Sequence, residues 1–130
     1  MMDLREFLDQ LEKAGELHTV AAEVDPKHEL GAICKIFNER TNSPALLFEN
    51  VKGSTVPVVG QLLASDRRVA LALGLSKKNV FEETVRRAST PITPRRVSAG
   101  PCQEVVMEGT DVDITKLPLC TNNPRDGGPY

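Results

Sequence analysis

The sequence predicts a small α/β (or α+β) domain whose helices pack outside a mixed sheet. Hydrophobic patterns typical of helices and strands alternate along residues 3–88, in the order helix, strand, helix, strand, strand, helix, helix. Of the 130 residues, 40% are hydrophobic and 26% are charged, which is the ordinary composition of one globular domain. The sequence contains no persistent heptad repeat or low-complexity stretch, so coiled-coil and fibrous classes are excluded.

The first helix and the first strand are predicted from a capping motif and a hydrophobic stripe. Asp3 and Glu6 have the spacing of a capping box, and Gly15 is a typical helix end. The stripe that should be buried recurs at intervals of three and four: Leu4, Phe7, Leu8 and Leu11. Residues 17–24 then predict a strand, because they include several β-branched side chains.

A second helix and two more strands come next. Asp25 as a cap and Pro26 at the first helical position predict the start of the helix. Its buried stripe comprises Leu30, Ile33, Cys34 and Phe37, widened by Ala32 and Ile36. Residues 45–48 form a short apolar run typical of a buried strand, and residues 56–60 predict another strand. Pro57 indicates an edge or a bulge at that last strand.

Two further helices complete the predicted domain. One covers residues 66–73, with Ser65 as its cap and Gly74 as its end. The next begins at Ser76 and should bury an inner face made of Val80, Phe81 and Val85.

The chain becomes rich in proline and glycine after Ala88, which indicates a connector or an irregular meander. Within it, residues 104–107 predict a strand and residues 111–117 an extended or strand-like segment. Residues 123–130 are mostly turn formers, and two glycines beside Arg125 could bring that side chain to a phosphate or a carboxylate. We favour a tight turn before a strand, with Arg125 solvated.

Charge is unevenly distributed, although the net charge is only −2. Residues 67–96 carry eight basic and two acidic side chains, and the basic ones form doublets: Arg67-Arg68, Lys77-Lys78, Arg86-Arg87 and Arg95-Arg96. Nucleic-acid binding is one hypothesis for this basic stretch. Because Phe81 is its only aromatic residue, the stretch lacks stacking platforms for bases. We favour a solvated helical surface, or a face that meets an acidic neighbour.

The cysteines and histidines do not predict a metal site or a disulfide framework. Cys34, Cys102 and Cys120 are odd in number and far apart, without a C-x-x-C motif. Cys34 lies in the apolar stripe of the second helix, which favours a small core residue over a nucleophile. His18 and His28 sit apart from the cysteines, and we interpret both as solvated or capping groups.

No common catalytic motif is present: G-x-S-x-G, H-E-x-x-H, a Walker loop and G-x-G-x-x-G are all missing. Glu82 and Glu83 are adjacent on a predicted helix and therefore point apart, as surface residues do. Asp111 and Asp113 would share one face of a strand, but metal binding or acid–base chemistry would need partners from elsewhere.

Nothing in the sequence predicts a membrane protein. The longest uninterrupted apolar run is residues 69–73, whereas a spanning helix needs about 20 apolar residues. The first residues lack the apolar region of a signal peptide, so we expect a cytoplasmic protein.

Several blocks of the chain, taken in order, resemble the UbiD-like decarboxylases. The resemblance covers the whole chain and rests on these segments: residues 3–8 (DLREFL) with 15–17 (GEL), 23–30 (EVDPKHEL), 44–53 (PALLFENVKG), 57–60 (PVVG), 68–74 (RVALALG), 113–118 (DITKLP) and 126–130 (DGGPY). Each block is short, but their shared order makes the resemblance specific.

The resemblance implies a carboxy-lyase that reversibly decarboxylates aromatic or α,β-unsaturated carboxylic acids. Members of that family use prenylated FMN with a divalent metal, usually manganese, and a potassium ion. Their chains are several times longer, with an N-terminal α/β domain, a flavin-binding split β-barrel and a C-terminal oligomerisation domain. By this comparison, residues 1–100 resemble the N-terminal domain, and residues 101–130 resemble the connector and first strands of the flavin domain.

The family's metal ligands (Asn, His and Glu) and its catalytic Glu-Arg-Glu set come after the block that ends at Tyr130. We therefore expect no catalytic, cofactor-binding or metal-binding residue in this chain, and no cofactor bound to it alone. Arg125 precedes that block and is not assigned as the catalytic arginine. The expectation is an N-terminal portion that is inactive alone and homo-oligomeric when full length, without nucleic acid as a partner. The alternative is an accessory subunit that docks on a separate flavin-binding chain through residues 67–96.

Overall fold

A computed structural model describes residues 2–129. Its α-helices and strands come in this order: α1 (Leu4–Lys13), β1 (Leu17–Val20), α2 (Glu29–Asn38), β2 (Ala45–Phe48), β3 (Val58–Gly60), α3 (Asp66–Leu73) and α4 (Val80–Ser89). Three short 3-10 helices come after them: Pro101–Gln103, Gly109–Asp111 and Ile114–Lys116. Within the described part of the chain, no helix is long and apolar enough to cross a membrane.

The three strands form one mixed sheet in the order β1-β2-β3. β2 is parallel to β1, with Leu17 opposite Ala45, and antiparallel to β3, with Leu46 opposite Gly60. The central strand has buried residues on both faces, which explains its continuous apolar sequence. β3 is an edge strand that begins directly after Pro57, as that proline indicated. The predicted α/β class with a mixed sheet is therefore confirmed.

Helices cover both faces of the sheet and create two hydrophobic clusters. Because side chains alternate along a strand, Leu46 and Phe48 face one side and Ala45 faces the other. The first cluster lies under α2 and consists of Val24, Leu30, Leu46, Phe48 and Val51. The second lies under α1 and α3 and consists of Phe7, Leu11 and Ala45, with partly buried neighbours that include Leu71 and Ala72.

α1 has the capping box that its sequence predicts. The Asp3 carboxylate accepts the Glu6 N–H, and the Glu6 carboxylate accepts the Asp3 N–H, both at 2.9 Å. Gly15 follows the helix with φ of 68°, in the left-handed region that glycine adopts without strain. The prediction that Leu4 is buried was wrong: its exposed fraction is 53%. The cluster forms around Phe7 and Leu11, and Leu4 in the first turn lies beyond it.

α2 begins at Glu29, so the predicted start at Asp25–Pro26 was wrong. The Asp25 carboxylate instead accepts the Lys27 N–H at 2.8 Å, which closes a local turn. His28 follows with φ of 73°, and this left-handed residue prevents a continuous helix from Pro26 onwards. The same residue types can cap a helix or form a turn, and the turn is formed here.

The buried stripe of α2 is narrower than expected. Leu30 is buried, and Ile33, Cys34 and Phe37 pack against the first cluster as partly buried neighbours. Ala32 and Ile36, which were expected to widen the stripe, are exposed. The three-stranded sheet is covered by one face of the helix only, so the residues at the margin of that face remain in contact with solvent.

Two predicted strands are shorter than expected. β1 ends at Val20 instead of continuing through residue 24, and Val24 makes only an isolated bridge with Val51. β3 begins at Val58 instead of residue 56.

The predicted 66–73 helix is confirmed, since Ser65 caps it and Gly74 ends it in the left-handed conformation.

α4 begins later than expected, and its predicted inner face is wrong. Residues 76–79 form a turn, and the helix starts at Val80. Phe81 and Val85 have exposed fractions of 78% and 52%. α4 packs chiefly along α3, and the described chain leaves most of these two side chains uncovered.

Residues 90–117 differ most from the sequence-based expectations. The strand over residues 104–107 and the extended segment over residues 111–117 were wrong: these residues form bends and short 3-10 helices. Every residue from 90 to 117 is exposed except Gly100, which is partly buried. A strand needs a neighbouring strand to satisfy its backbone, and no strand lies beside this segment in residues 2–129. The expected first strands of a split barrel are therefore not observed.

Candidate functional site

Arg68, in the first turn of α3, is the single charged residue that is fully buried within residues 2–129. Its guanidinium donates hydrogen bonds to four acceptors: Ser43 O (2.6 Å), Glu16 Oε2 (3.1 Å), Gln61 O (3.2 Å) and Leu62 O (3.2 Å). The side chain thus joins α3 to the turn before β1, the loop before β2 and the loop after β3. Its role is structural, because four acceptors of the chain satisfy the donors of a guanidinium that is fully buried.

The interpretation of the basic stretch as a solvated surface was wrong for Arg68. One signal in the sequence could have identified it: Arg68 lies three and four residues before Leu71 and Ala72, on the face that packs against the sheet. Its neighbour Arg67 is exposed and pairs with Glu16 at 2.9 Å. Glu16 therefore pairs with both arginines of the first basic doublet.

A polar cleft of about 720 Å³ opens beside Arg68. Polar and charged residues dominate its lining, among them Thr41, Asn42, Ser43, Asp66, Arg67 and Lys77. Among residues 2–129, no aromatic side chain lines the cleft, so none of these residues could stack there on a flavin ring. The Glu16 carboxylate at its edge is already held by Arg67 and Arg68. The cleft does not fit a flavin.

No group of three or more His, Cys, Asp or Glu residues in the described structure could hold a metal ion. His18 is exposed and stacks on Phe37, with 5.5 Å between ring centroids, and Arg40 lies 4.5 Å from the same ring. His28 occupies the position before α2 but makes no capping hydrogen bond, so its interpretation as a cap was wrong. Its Nδ1 is buried and has no hydrogen-bond partner among residues 2–129.

Two of the three cysteines occupy positions typical of core residues and not of nucleophiles. Cys34 and Cys120 are half-buried against the first hydrophobic cluster, which confirms the interpretation of Cys34 as a core residue. Burial raises the pKa of the Cys34 thiol, and the nearby Cys120 raises it further. Burial likewise raises the pKa of Cys120. Both thiols are therefore poor sources of thiolate. Cys102 is exposed.

Glu83 and its neighbours on α4 form a surface network. The Glu83 carboxylate binds Arg86 at 2.5 Å and Arg87 at 2.9 Å. Hydrogen bonds from these two arginines lower the pKa of Glu83 to about 2. Arg87 also donates to the Leu73 carbonyl at 3.2 Å, which ties α4 to the end of α3. Glu82 is exposed beside it, as a surface residue.

Asp111 and Asp113 do not share a strand face, because no strand forms there. Asp111 ends one 3-10 helix, whereas Asp113 caps the next. The Asp113 carboxylate accepts the Thr115 N–H at 3.0 Å and the Thr115 hydroxyl at 2.6 Å. The Asp113 carboxylate therefore serves as a local cap, and the hypothesis of a shared acid–base pair has no support in the geometry.

The loop after residue 121 is a tight turn, as favoured from its sequence, but residues 127–129 do not form the strand that was expected to follow it. The Asp126 carboxylate accepts the N–H groups of Asn122 (3.0 Å) and Asn123 (2.8 Å). Arg125 is exposed at the turn. The part of the sequence motif that falls on Tyr130 lies outside the described residues.

Residues 120–122 pack against residues 26–31, and we call this contact the α2 junction. Thr121 donates its N–H to the Pro26 carbonyl at 3.2 Å, and its own carbonyl accepts the His28 N–H at 2.7 Å. Asn122 lies directly against Gly31. No local pattern predicts this contact, because it joins segments about 90 residues apart.

Two family models match the chain, one after the other. The model of the 3-octaprenyl-4-hydroxybenzoate carboxy-lyase N-terminal domain (UbiD_N) matches residues 8–88. The model of the Rift-related domain of the same carboxy-lyase (UbiD) matches residues 95–130.

Solved structures of UbiD-class enzymes are similar over nearly the whole chain. Vanillic acid decarboxylase of Sedimentibacter hydroxybenzoicus is 38% identical, with a TM-score of 0.86 over 100% of this chain. An evolved dimeric form of HmfF from Pelotomaculum thermopropionicum, in complex with prenylated FMN, is 32% identical over 99%, with a TM-score of 0.88. Apo 3,4-dihydroxybenzoic acid decarboxylase of Klebsiella pneumoniae is 30% identical over 99%, with a TM-score of 0.85. The chain spans only 29–30% of the length of these three proteins.

Proposed function

Because the chain belongs to the UbiD family and matches the N-terminal portion of its members, we propose that it is part of a carboxy-lyase. The proposed enzyme reversibly decarboxylates aromatic or α,β-unsaturated carboxylic acids with prenylated FMN. The observation that carries the proposal is the ordered match of both family models, to residues 8–88 and 95–130. The substrate class is supported by two similar structures, which are decarboxylases of vanillic and 3,4-dihydroxybenzoic acid.

In this proposal the chain is a scaffold and does not carry out the bond-breaking step. Prenylated FMN, when bound, supplies the electron sink for loss of carbon dioxide. The side chains described here do not fit that group, since the polar cleft lacks a stacking surface and no metal-binding cluster lies within residues 2–129. We therefore assign prenylated FMN, Mn²⁺ and K⁺ to residues outside this chain, and we assign no catalytic residue within it.

The chain's own residues hold the architecture on which such a site depends. Arg68 and Glu16 fix the loops around one end of the sheet, and the α2 junction holds residues 120–122 against the N-terminal domain. We also propose a cytoplasmic location, homo-oligomerisation of the full-length protein, and domain limits near residue 100.

The test compares the 130-residue chain with the proposed longer enzyme, of which this chain would be the N-terminal part. Each is produced together with a supply of prenylated FMN, and bound flavin is measured by its absorbance. Carbon dioxide release is then measured with cinnamate-type and hydroxybenzoate-type acids. We expect flavin and turnover with the longer protein only. Turnover by the isolated chain would contradict the scaffold role, and no turnover by either would contradict the proposed activity for these acids.

A second candidate function is an accessory subunit that docks on a separate flavin-binding chain. The observation that favours it is the exposure of Phe81 and Val85 on α4, close in sequence to the exposed Lys77 and Lys78. A pull-down with this chain should then recover a flavin-binding protein, and Phe81→Asp should abolish the recovery. Failure to recover such a protein would remove this candidate.

A further inference from the structure

We propose that Gly31 and the turn at His28 are positioning residues, which set where residues 122–128 lie against the N-terminal domain. Through them, α2 orients the last part of the segment, residues 95–130, that the Rift-related model matches. The structural part of this inference stands on the contacts of the α2 junction. Its catalytic part, that the orientation affects turnover, rests on the proposed function.

The chain between α4 and the junction does not fix the position of the segment after residue 117. Residues 90–117 are exposed throughout, apart from Gly100. A long exposed connection leaves its far end free to sample many positions, at an entropic cost when that end is held. The position of residues 122–128 must therefore come from contacts that they and their immediate neighbours make with the domain.

The α2 junction supplies those contacts through both backbone groups of Thr121. Thr121 is hydrogen-bonded through its N–H to Pro26 and through its carbonyl to His28. The left-handed conformation of His28 turns the backbone at this point, directly before α2. Cys120, one residue earlier, packs against the first hydrophobic cluster. The segment is thus held by backbone pairing and by a half-buried side chain.

Gly31 permits the closest approach at the junction. A Cβ atom at position 31 would lie 2.8 Å from Asn122 Oδ1 and 3.0 Å from Asn122 Cα. The second of these atoms is backbone, so rotation of the Asn122 side chain cannot relieve the contact. Gly31 lies within α2, where alanine is normally favoured over glycine. The helix alone would therefore prefer alanine, and only the junction requires glycine.

Asn122 also connects the junction to the turn beyond it. The Asp126 carboxylate accepts the N–H groups of both Asn122 and Asn123. A displacement of Asn122 therefore disturbs the hydrogen bonds that define the turn containing Arg125 and the two glycines after Asp126.

The experiment measures hydrogen–deuterium exchange by mass spectrometry in the full-length protein. With Gly31→Ala, loss of the junction should accelerate exchange in residues 119–128 about tenfold or more, because its hydrogen bonds open together. Exchange in β2 should remain unchanged. Ala32→Ser, at the next and exposed position of the same helix, is the matched control and should leave residues 119–128 unchanged. Thr121→Pro removes the N–H donated to Pro26 without altering α2, and should reproduce the effect of Gly31→Ala.

Two results would overturn the structural part: unchanged exchange in residues 119–128 in both variants, or equal acceleration in β2, which would make Gly31 a general stability residue. For the catalytic part, kcat should fall about tenfold in Gly31→Ala with KM unchanged. An unchanged kcat in a variant with accelerated exchange would overturn that part. A wild-type protein without flavin or turnover would instead contradict the proposed function, and the exchange result would still test the junction.

Discussion

Arg68 shows how a single residue can organise the loops at one end of a small sheet. A buried guanidinium is costly unless its donors find acceptors, and here four acceptors from three segments surround it. The Glu16 carboxylate that pairs with it is largely buried, with 15% of its side chain exposed. Arg68 therefore stabilises the fold through its hydrogen bonds to carbonyl oxygens as much as through its ion pair.

The first prediction concerns the removal of this guanidinium. Arg68→Met keeps a long apolar stem but leaves the carbonyls of Ser43, Gln61 and Leu62 without their donor, so the free energy of unfolding should fall by about 3–5 kcal/mol. Urea denaturation followed by circular dichroism measures this loss. Arg67→Gln is the matched control and should cost at most about 1 kcal/mol, because Arg67 is exposed. Equal losses in both variants would contradict the assigned role.

The second prediction concerns the contact between β3 and α2. A Cβ at position 60 would lie 2.7 Å from Cys34 Sγ, so Gly60→Ala should lower stability by about 1–3 kcal/mol through overpacking. Alanine is otherwise favoured over glycine in a strand, so a loss of stability in Gly60→Ala would have to come from the close contact with Cys34. Cys34→Ala removes the sulfur, and the double variant should recover much of the loss. If Gly60→Ala were stabilising by itself, the close approach would not exist.

At the scale of elements, the sequence predicts best where its signal is local. α1, α3 and β2 are predicted from a cap, a glycine end or a short apolar run, and the structure confirms each of them. The start of α2 was predicted too early, because Asp25 and Pro26 are equally suited to a turn. The left-handed conformation of His28 is compatible with the turn and not with a continuous helix. The strand over residues 104–107 failed for a different reason, since β-propensity is expressed only beside another strand.

The third prediction is made for α4 and its dependence on pH. The pKa of Glu83 is lowered to about 2 in the folded chain. Its contacts with the two arginines therefore stabilise α4 at pH values above the ordinary pKa of a glutamate carboxyl group. This stabilisation should disappear as the pH falls from about 4.5 towards 2, because the carboxylate is then protonated. Exchange in residues 80–89 should therefore be faster in Glu83→Gln than in wild type at pH 7, and this difference should shrink in acid. Glu82→Gln is the neighbouring control, and an equal effect there would contradict the prediction.

At the scale of the whole molecule, the fold could be predicted from the sequence much further than a functional site could. Single-sequence patterns located no catalytic residue, and the geometry of residues 2–129 supplies neither a metal cluster nor a flavin pocket. The features that matter most for the scaffold, Arg68 and the α2 junction, depend on contacts between distant segments. Such contacts leave little trace in local periodicity. The spacing of Arg68 before Leu71 and Ala72 indicates which face of α3 it shares, but not the acceptors that surround it, and no local pattern predicts the junction.

The fourth prediction concerns the association of the isolated 130-residue chain. Its exposed residues 90–117 include many large apolar side chains, among them Val97, Val105, Val106, Met107, Val112, Ile114 and Leu117. Exposed apolar surface of this extent favours self-association. Sedimentation velocity should therefore show concentration-dependent oligomers, which Val105→Asp should reduce. Thr110→Asp adds the same charge at a nearby exposed polar position and should reduce them less. A strictly monomeric wild-type chain would contradict the prediction.

The α2 junction and the exposed stretch before it have one more consequence, for proteolysis. Cleavage by a protease between residues 90 and 117 would cut the chain where no described residue is fully buried. The fragment bearing Thr121 would stay attached to the larger piece through its pairing with Pro26 and His28, and through Cys120 in the apolar cluster. Two separately synthesised pieces should for the same reason reassemble when mixed, as a split protein does.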